Sequence, residues 1–192
     1  MKSTATLFAC LAATLTSGCA TQPAEPPAIA ITYDPMEPAG AIAQLLAQAD
    51  TAQDDPRRLG QYLAALDSLG ARPADGTVDP LGTWRAKAQM PQTPPYRGRV
   101  LGPAYKAGML DPGSTVRLPQ LFDGGRAARV AVAMPGQEGL DFTVLDGEAK
   151  PVCPPAKARN RQCTWTPLYS GRFEIVLRNP TDATAGYYLV ID

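Results

Sequence analysis

The chain of 192 residues contains no histidine. That absence removes the Ser-His-Asp and Cys-His routes to an activated nucleophile. It also removes the zinc ligand sets that depend on imidazole. Charge of either sign is in short supply. The 18 Lys and Arg balance 18 Asp and Glu, so the chain lacks the basic footprint of a nucleic-acid binder. Its opening apolar run, Leu7 to Leu15, is too short to span a bilayer as a helix. No G-x-S-x-G elbow, P-loop or dinucleotide fingerprint occurs. A two-carboxylate mechanism stays formally open through acids such as Asp141, Asp146 and Glu174, but nothing in their spacing singles them out. Composition and motifs point away from an enzyme, and no cofactor or metal set is implied.

What is present begins at the N-terminus. Lys2 precedes the short apolar run, and the small residues Thr16, Ser17 and Gly18 follow it, immediately before Cys19. A charged start, a short apolar segment and small residues describe a secretory signal. The stretch Leu15 to Cys19 resembles the bacterial lipobox, in its looser form, with Thr16 where Leu is commonest. The resemblance implies cleavage before Cys19, a lipid on its sulfur, and a membrane partner through that anchor. Ala20, where some bacteria place an Asp that retains lipoproteins at the inner membrane, implies the outer membrane, on its periplasmic face. An ordinary signal cut near Ala20 is the competing reading. "ATQPAEPPAIA" then reads as a proline-rich tether. Fully extended at about 3 Å per residue, residues 20–36 would reach up to about 50 Å.

Of four cysteines, Cys10 falls inside the signal and Cys19 at the lipobox, which leaves Cys153 and Cys163. An even pair in an oxidising compartment favours a disulfide. Two thiolates without histidine make a poor metal site, which is the alternative.

The expected organisation is a signal peptide at 1–18, the tether at 19–36, a helical hairpin at 37–70, a Pro/Gly-rich connector at 71–98 and a β-sandwich at 99–192. In the hairpin, Ile42, Leu45, Leu46 and Ala49 share one face. Leu59, Tyr62, Leu63, Leu66 and Leu69 form a second stripe, with Asp55 as N-cap, Pro56 at the first turn and Gly70 past the end. Two helices cannot bury both stripes on each other, so the hairpin packs on the next domain or presents a docking face. Trp84 is expected to plug the connector onto an apolar surface.

From residue 99 the period becomes two. Val116, Leu118 and Phe122 form one run, with Pro119 marking an edge strand. Val130, Val132 and Met134 alternate with Arg129, Ala131 and Ala133. Leu140, Phe142 and Val144 follow, then Phe173, Ile175 and Leu177, and the chain closes on "YYLVID". Gly124-Gly125, Pro135-Gly136, Asp146-Gly147 and Asn179-Pro180 punctuate them. The pattern predicts a mainly β fold, an antiparallel jelly-roll-like sandwich with one apolar face per sheet.

The segments "LDPGSTVRLPQLFDGGRAARVAVA", "GLDFTVLD", "CTWTPLYSGRFEIVLRNP" and "GYYLVID" resemble the bacterial pre-peptidase C-terminal (PPC) jelly-roll sandwich. Gly124, Asp141, Asp146, Trp165, Pro167, Gly171, Phe173, Ile175, Leu177, Asn179 and Tyr188 carry the resemblance, over about 80 of 192 residues. It implies an accessory or secretion-associated module, some relatives of which bind calcium or an extended polymer. Asp141 and Asp146 supply too few oxygens for calcium, which takes six to eight. The function expected is a non-catalytic, lipid-anchored cell-envelope protein that binds or scaffolds a periplasmic partner, with no nucleic acid involved. The alternative is a carbohydrate- or peptidoglycan-binding module. Tyr96, Tyr105, Trp165 and Tyr169 are the ring types that could stack on a sugar.

Overall fold

A computed structural model describes residues 37–92, 103–136, 139–158 and 160–192, with side chains of 156–160 left aside. The signal, Cys19 and the tether lie outside the described residues, as does Tyr96. The chain begins with two helices, α1 (Pro38–Thr51) and α2 (Pro56–Ser68). Asp55 caps α2 by accepting from the Arg58 amide at 3.1 Å, and Pro56 stands at its first position. Gly70, at φ +67°, ends the hairpin in the left-handed conformation that glycine adopts without a Cβ penalty.

The Pro/Gly-rich connector also contains regular structure. It holds a two-residue strand, β1 (Arg72–Pro73), and a helix, α3 (Leu81–Lys87). The Asp79 carboxylate accepts from the Leu81 amide at 3.0 Å and starts the helix. Among the connector's turn signals, Asp79-Pro80 therefore acts as a helix start. Trp84, on α3, is buried as expected, edge-on to Tyr188 at 6.0 Å between ring centres. Arg85 beside it is buried and ion-paired with Asp67 of α2, so α3 is riveted to the hairpin.

Eight strands follow: β2 (Ala104–Leu110), β3 (Thr115–Phe122), β4 (Ala128–Ala133), β5 (Leu140–Leu145), β6 (Pro151–Ala158), β7 (Asn160–Trp165), β8 (Gly171–Arg178) and β9 (Ala185–Ile191). They form a five-stranded sheet ordered β1-β2-β9-β4-β7 and a four-stranded sheet ordered β3-β8-β5-β6. Every pairing is antiparallel except β1 with β2. The mainly β, antiparallel sandwich behind a helical hairpin is thus the fold. As Pro119 required, β3 is an edge strand. So is β6, which explains how Pro151, Pro154 and Pro155 are tolerated in it.

Between the sheets lie Val130, Val132, Leu140, Phe142, Ile175, Leu177 and Leu189, all buried. Each such side chain contributes about 1.5–3 kcal/mol. One expectation is corrected here. The five-stranded sheet is not apolar on one face only, because α1 crosses its outer side over β4, β9 and β7. Ala131 and Ala133, which read as the outward half of the β4 alternation, are fully enclosed with Ile42, Leu46, Leu63 and Val190. Small residues on a strand let a helix approach closely, so the architecture is three-layered: helices, sheet, sheet. No described helix is long and apolar enough to cross a membrane.

Two devices lock the ends. Cys153 and Cys163 form a disulfide with their Cα atoms 6.0 Å apart. Cys153 stands opposite Val144 in one sheet and Cys163 opposite Val130 in the other, so the bond ties the two sheets at one edge. At the far end, Asn179 is fully buried. Its Nδ2 donates to the carbonyls of Leu110 (2.9 Å) and Ala183 (2.7 Å), and its Oδ1 accepts from the Thr181 amide (3.1 Å) and hydroxyl (2.7 Å).

Candidate functional site

Among the described sugar-stacking candidates, Tyr105, Trp165 and Tyr169, no two are exposed together. Tyr105 is a correction: it is fully enclosed under the helical layer, where its hydroxyl donates to Asp79. Burial, and then the bond to Asp79, push that hydroxyl well above the ordinary tyrosine range. Trp165 lies at the rim of the inter-sheet core, 4.8 Å from Phe122 and 5.3 Å from Phe173 between ring centres. Its Nε1 is buried without an acceptor. Tyr169 alone among the three is exposed, at 84 %. One free ring is not a stacking platform.

The carboxylates considered for catalysis are also separate. Asp146 accepts from the amides of Glu148 and Lys150, both at 2.9 Å, and closes the β5–β6 turn. Glu174 pairs with Arg117 across strands at 2.5 Å. Asp141 lies in the row opposite Arg178. No three Cys, Asp or Glu side chains converge as a metal site among the described residues.

What the fold does assemble is a loop pair at one end of the sandwich. Residues 123–127 join β3 to β4, and residues 166–170 join β7 to β8. Gly125 N–H donates to the Pro167 carbonyl at 2.7 Å, and Gly124 N–H to the Ser170 hydroxyl at 2.9 Å. Gly124 packs so closely that a Cβ there would stand 2.7 Å from the Ser170 nitrogen, closer than atoms approach. The aromatic trio of Phe122, Trp165 and Phe173 forms the floor. On this pinned loop Leu168 and Tyr169 project side by side, 87 % and 84 % exposed, and Leu121 on β3 is 65 % exposed. Single exposed apolar residues are ordinary; an adjacent pair on a clamped loop is an apolar contact held in place.

Beside the loops opens a cleft of about 670 Å³, between the β1–β2 margin of one sheet and edge strand β3 of the other. Its charged lining is Arg72, Lys106, Arg126 and Arg129 against Asp75, Asp123 and Asp192. Arg126 reaches Asp123, and Arg129 reaches Asp192, each at 3.4 Å. Arg129 Nε is buried with no acceptor. The Lys106 side chain makes no hydrogen bond or ion pair among the described residues.

Sequence reasoning singled out Tyr169 and Trp165 here but missed Leu168, Leu121 and Lys106. The available signal was an apolar pair, Leu168-Tyr169, inside the turn between Pro167 and Gly171, where a core residue has no reason to be.

No protein-family model and no curated protein matches the chain. Solved structures do. The periplasmic inhibitor of g-type lysozyme PliG from Aeromonas hydrophila matches at 18 % identity over 47 % of this chain and 84 % of its own, with a TM-score of 0.35. The pre-peptidase C-terminal domain of a collagenase from Bacillus anthracis matches at 11 % identity over 46 % and 88 %, TM-score 0.41. The Yersinia pseudotuberculosis-derived mitogen matches at 12 % identity over 48 % and 86 %, TM-score 0.40.

Proposed function

We propose that the protein is a non-catalytic, lipid-anchored component of the bacterial cell envelope, whose sandwich domain docks on a periplasmic protein through the loop end. Cys19 is the anchor, at the outer membrane and facing the periplasm, and residues 20–36 are the spacer. The observation that carries the docking reading is the pinned Leu168–Tyr169 pair. Ordering costs weaken most loop contacts on binding, and a loop already clamped at Gly124, Gly125 and Ser170 avoids most of that cost. The resemblance to the PPC sandwich and the lipobox spacing support the accessory, envelope-bound setting. The glycan-binding alternative is supported less, since Tyr169 is the one fully exposed ring among its described candidates.

Two measurements test this. Intact mass of the chain extracted from membranes of its native host should show a start at Cys19 with added lipid; an unlipidated chain beginning after Cys19 ends the anchor reading. A photocrosslinking residue placed at Tyr169 in living cells should give a defined protein adduct, which the same residue at Val78, 82 % exposed and remote from the loops in sequence, does not. Equal adducts from both positions, or none from Tyr169, end the docking reading.

A further inference from the structure

The cleft beside the loop pair is bounded by main chain. Three runs of consecutive residues line it: 72–75, 120–123 and 126–129. Side chains of a strand alternate between faces, so successive strand residues such as Gln120, Leu121 and Phe122 border one space only where the strand's edge faces it. Among the described residues the β3 margin is open there, while β2 borders the cleft with the alternate residues Ala104 and Lys106 of one face and its open margin begins just beyond. β1 pairs with β2 only at Arg72↔Ala104 and Pro73↔Tyr105, with the Ala74 amide donating to the Tyr105 carbonyl at 2.8 Å. Among the described residues, β2 has no strand neighbour on that side past Tyr105, and β3 has none beyond β8. An unpaired margin presents N–H and C=O groups that accept another strand.

The charges favour one sign of guest. Four cations line the cleft against three carboxylates, two of which already face Arg126 and Arg129. Among the described residues the Lys106 ammonium, which lines the cleft, is uncommitted, and Arg129 Nε lacks an acceptor. Among the described lining residues the one aromatic ring is Phe122, buried in the core, so these residues offer a sugar no exposed ring.

We propose that this cleft takes an extended peptide segment by strand addition, with a carboxylate of that segment held at Lys106. The carboxylate is either a chain terminus or an Asp or Glu side chain; the chemistry is the same. The inference deepens the docking reading and rests on it: the loop pair grips the partner's apolar surface, and the cleft receives a strand from the same partner.

The test is affinity selection of a random heptapeptide library on the purified full chain. Half of the library carries free C-termini and half C-terminal amides, each with and without internal Asp and Glu. Peptides with a carboxylate should be enriched at least tenfold over neutral ones. Lys106→Gln should reduce that preference below twofold, and Lys106→Arg should keep it, which separates lost charge from lost fold. A selected peptide should shift the amide resonances of Ala107 and Leu121. Preference confined to free C-termini identifies a chain end as the guest; preference among amides for Asp or Glu identifies an internal segment. No enrichment, an acid preference unchanged by Lys106→Gln, or displacement of the peptide by millimolar inorganic phosphate alone would overturn the proposal. A specific adduct at Tyr169 with a flat library leaves docking standing and removes the strand site; the reverse result removes docking and leaves the strand site.

Discussion

Asn179 offers the sharpest test of how the sandwich is closed. Its side chain is fully buried and uses both ends, with two donated and two accepted hydrogen bonds. Its own amide also donates to the Ser114 carbonyl at 2.9 Å, so one residue ties the β2–β3 turn, the end of β2 and the β8–β9 turn. Asn179→Ala removes both Nδ2 donations, to the Leu110 and Ala183 carbonyls, and strips the Thr181 amide and hydroxyl of their shared acceptor. An orphaned buried group costs about 1–3 kcal/mol and each lost neutral bond about 1 kcal/mol, for a total of about 3 kcal/mol. For a domain of this size that corresponds to a fall in Tm of roughly 6–12 °C. Asn179→Asp is the more telling variant. It preserves shape and acceptor but turns the donor end into an oxygen facing two carbonyls, so it should be at least as damaging at pH 7. Burial beside two carbonyls raises that carboxyl above its ordinary range, so protonating it at acid pH should restore part of the loss. Equilibrium urea unfolding measures all of this. A loss below 1 kcal/mol for Asn179→Ala, or wild-type stability for Asn179→Asp at neutral pH, refutes the argument.

Replacing both Cys153 and Cys163 by Ala should cost about 2.5–3 kcal/mol, from the chain entropy released by opening a ten-residue separation, read by the same unfolding assay. Reduction of the wild type should add two daltons to its intact mass. Stability should be level to about pH 9 and fall above pH 10: burial raises the hydroxyls of Tyr105, Tyr187 and Tyr188 in the fold, so the unfolded chain, at the ordinary value near 10, releases protons first. Tyr105→Phe should flatten that alkaline limb in pH-dependent denaturation; an unchanged limb would contradict it. Ala131→Leu should destabilise by about 1–3 kcal/mol through overpacking beneath α1, and near-neutral behaviour would mean the helices are not seated on the sheet as described.

Much of the fold was legible because local rules and tertiary demands agree. Asp55-Pro56 before an apolar stripe and Gly70 after it define α2 almost to the residue. The alternation of Phe173, Ile175 and Leu177 reads directly as β8. Legibility failed where an element borrows its stability from elsewhere. α3 has seven residues and a connector's composition, and it holds because Trp84 and Arg85 find Tyr188 and Asp67. β6 breaks strand propensity with three prolines, and a free margin plus the disulfide permit it. Tyr105 read as a ligand ring because residue type carries no burial; the signal that places it inside, its match to Asp79 across 26 residues, exists only in three dimensions.

The β4 strand shows how the layers decide where function can sit. Its inward residues, Val130 and Val132, would have served any sandwich, but Ala131 and Ala133 on the other face are too small to end a core by themselves. Their size makes sense only beneath a helix, and α1 supplies Ile42 and Leu46 there, both fully buried. The hairpin therefore has its apolar stripes satisfied at home and has none left for a partner. The outer face of the four-stranded sheet carries cross-strand polar rows such as Arg117 with Glu174, which are well solvated. Large apolar side chains that are exposed, adjacent and held by backbone bonds occur, among the described residues, at the end where Gly124 meets Ser170. That is the end that can bind without first being ordered.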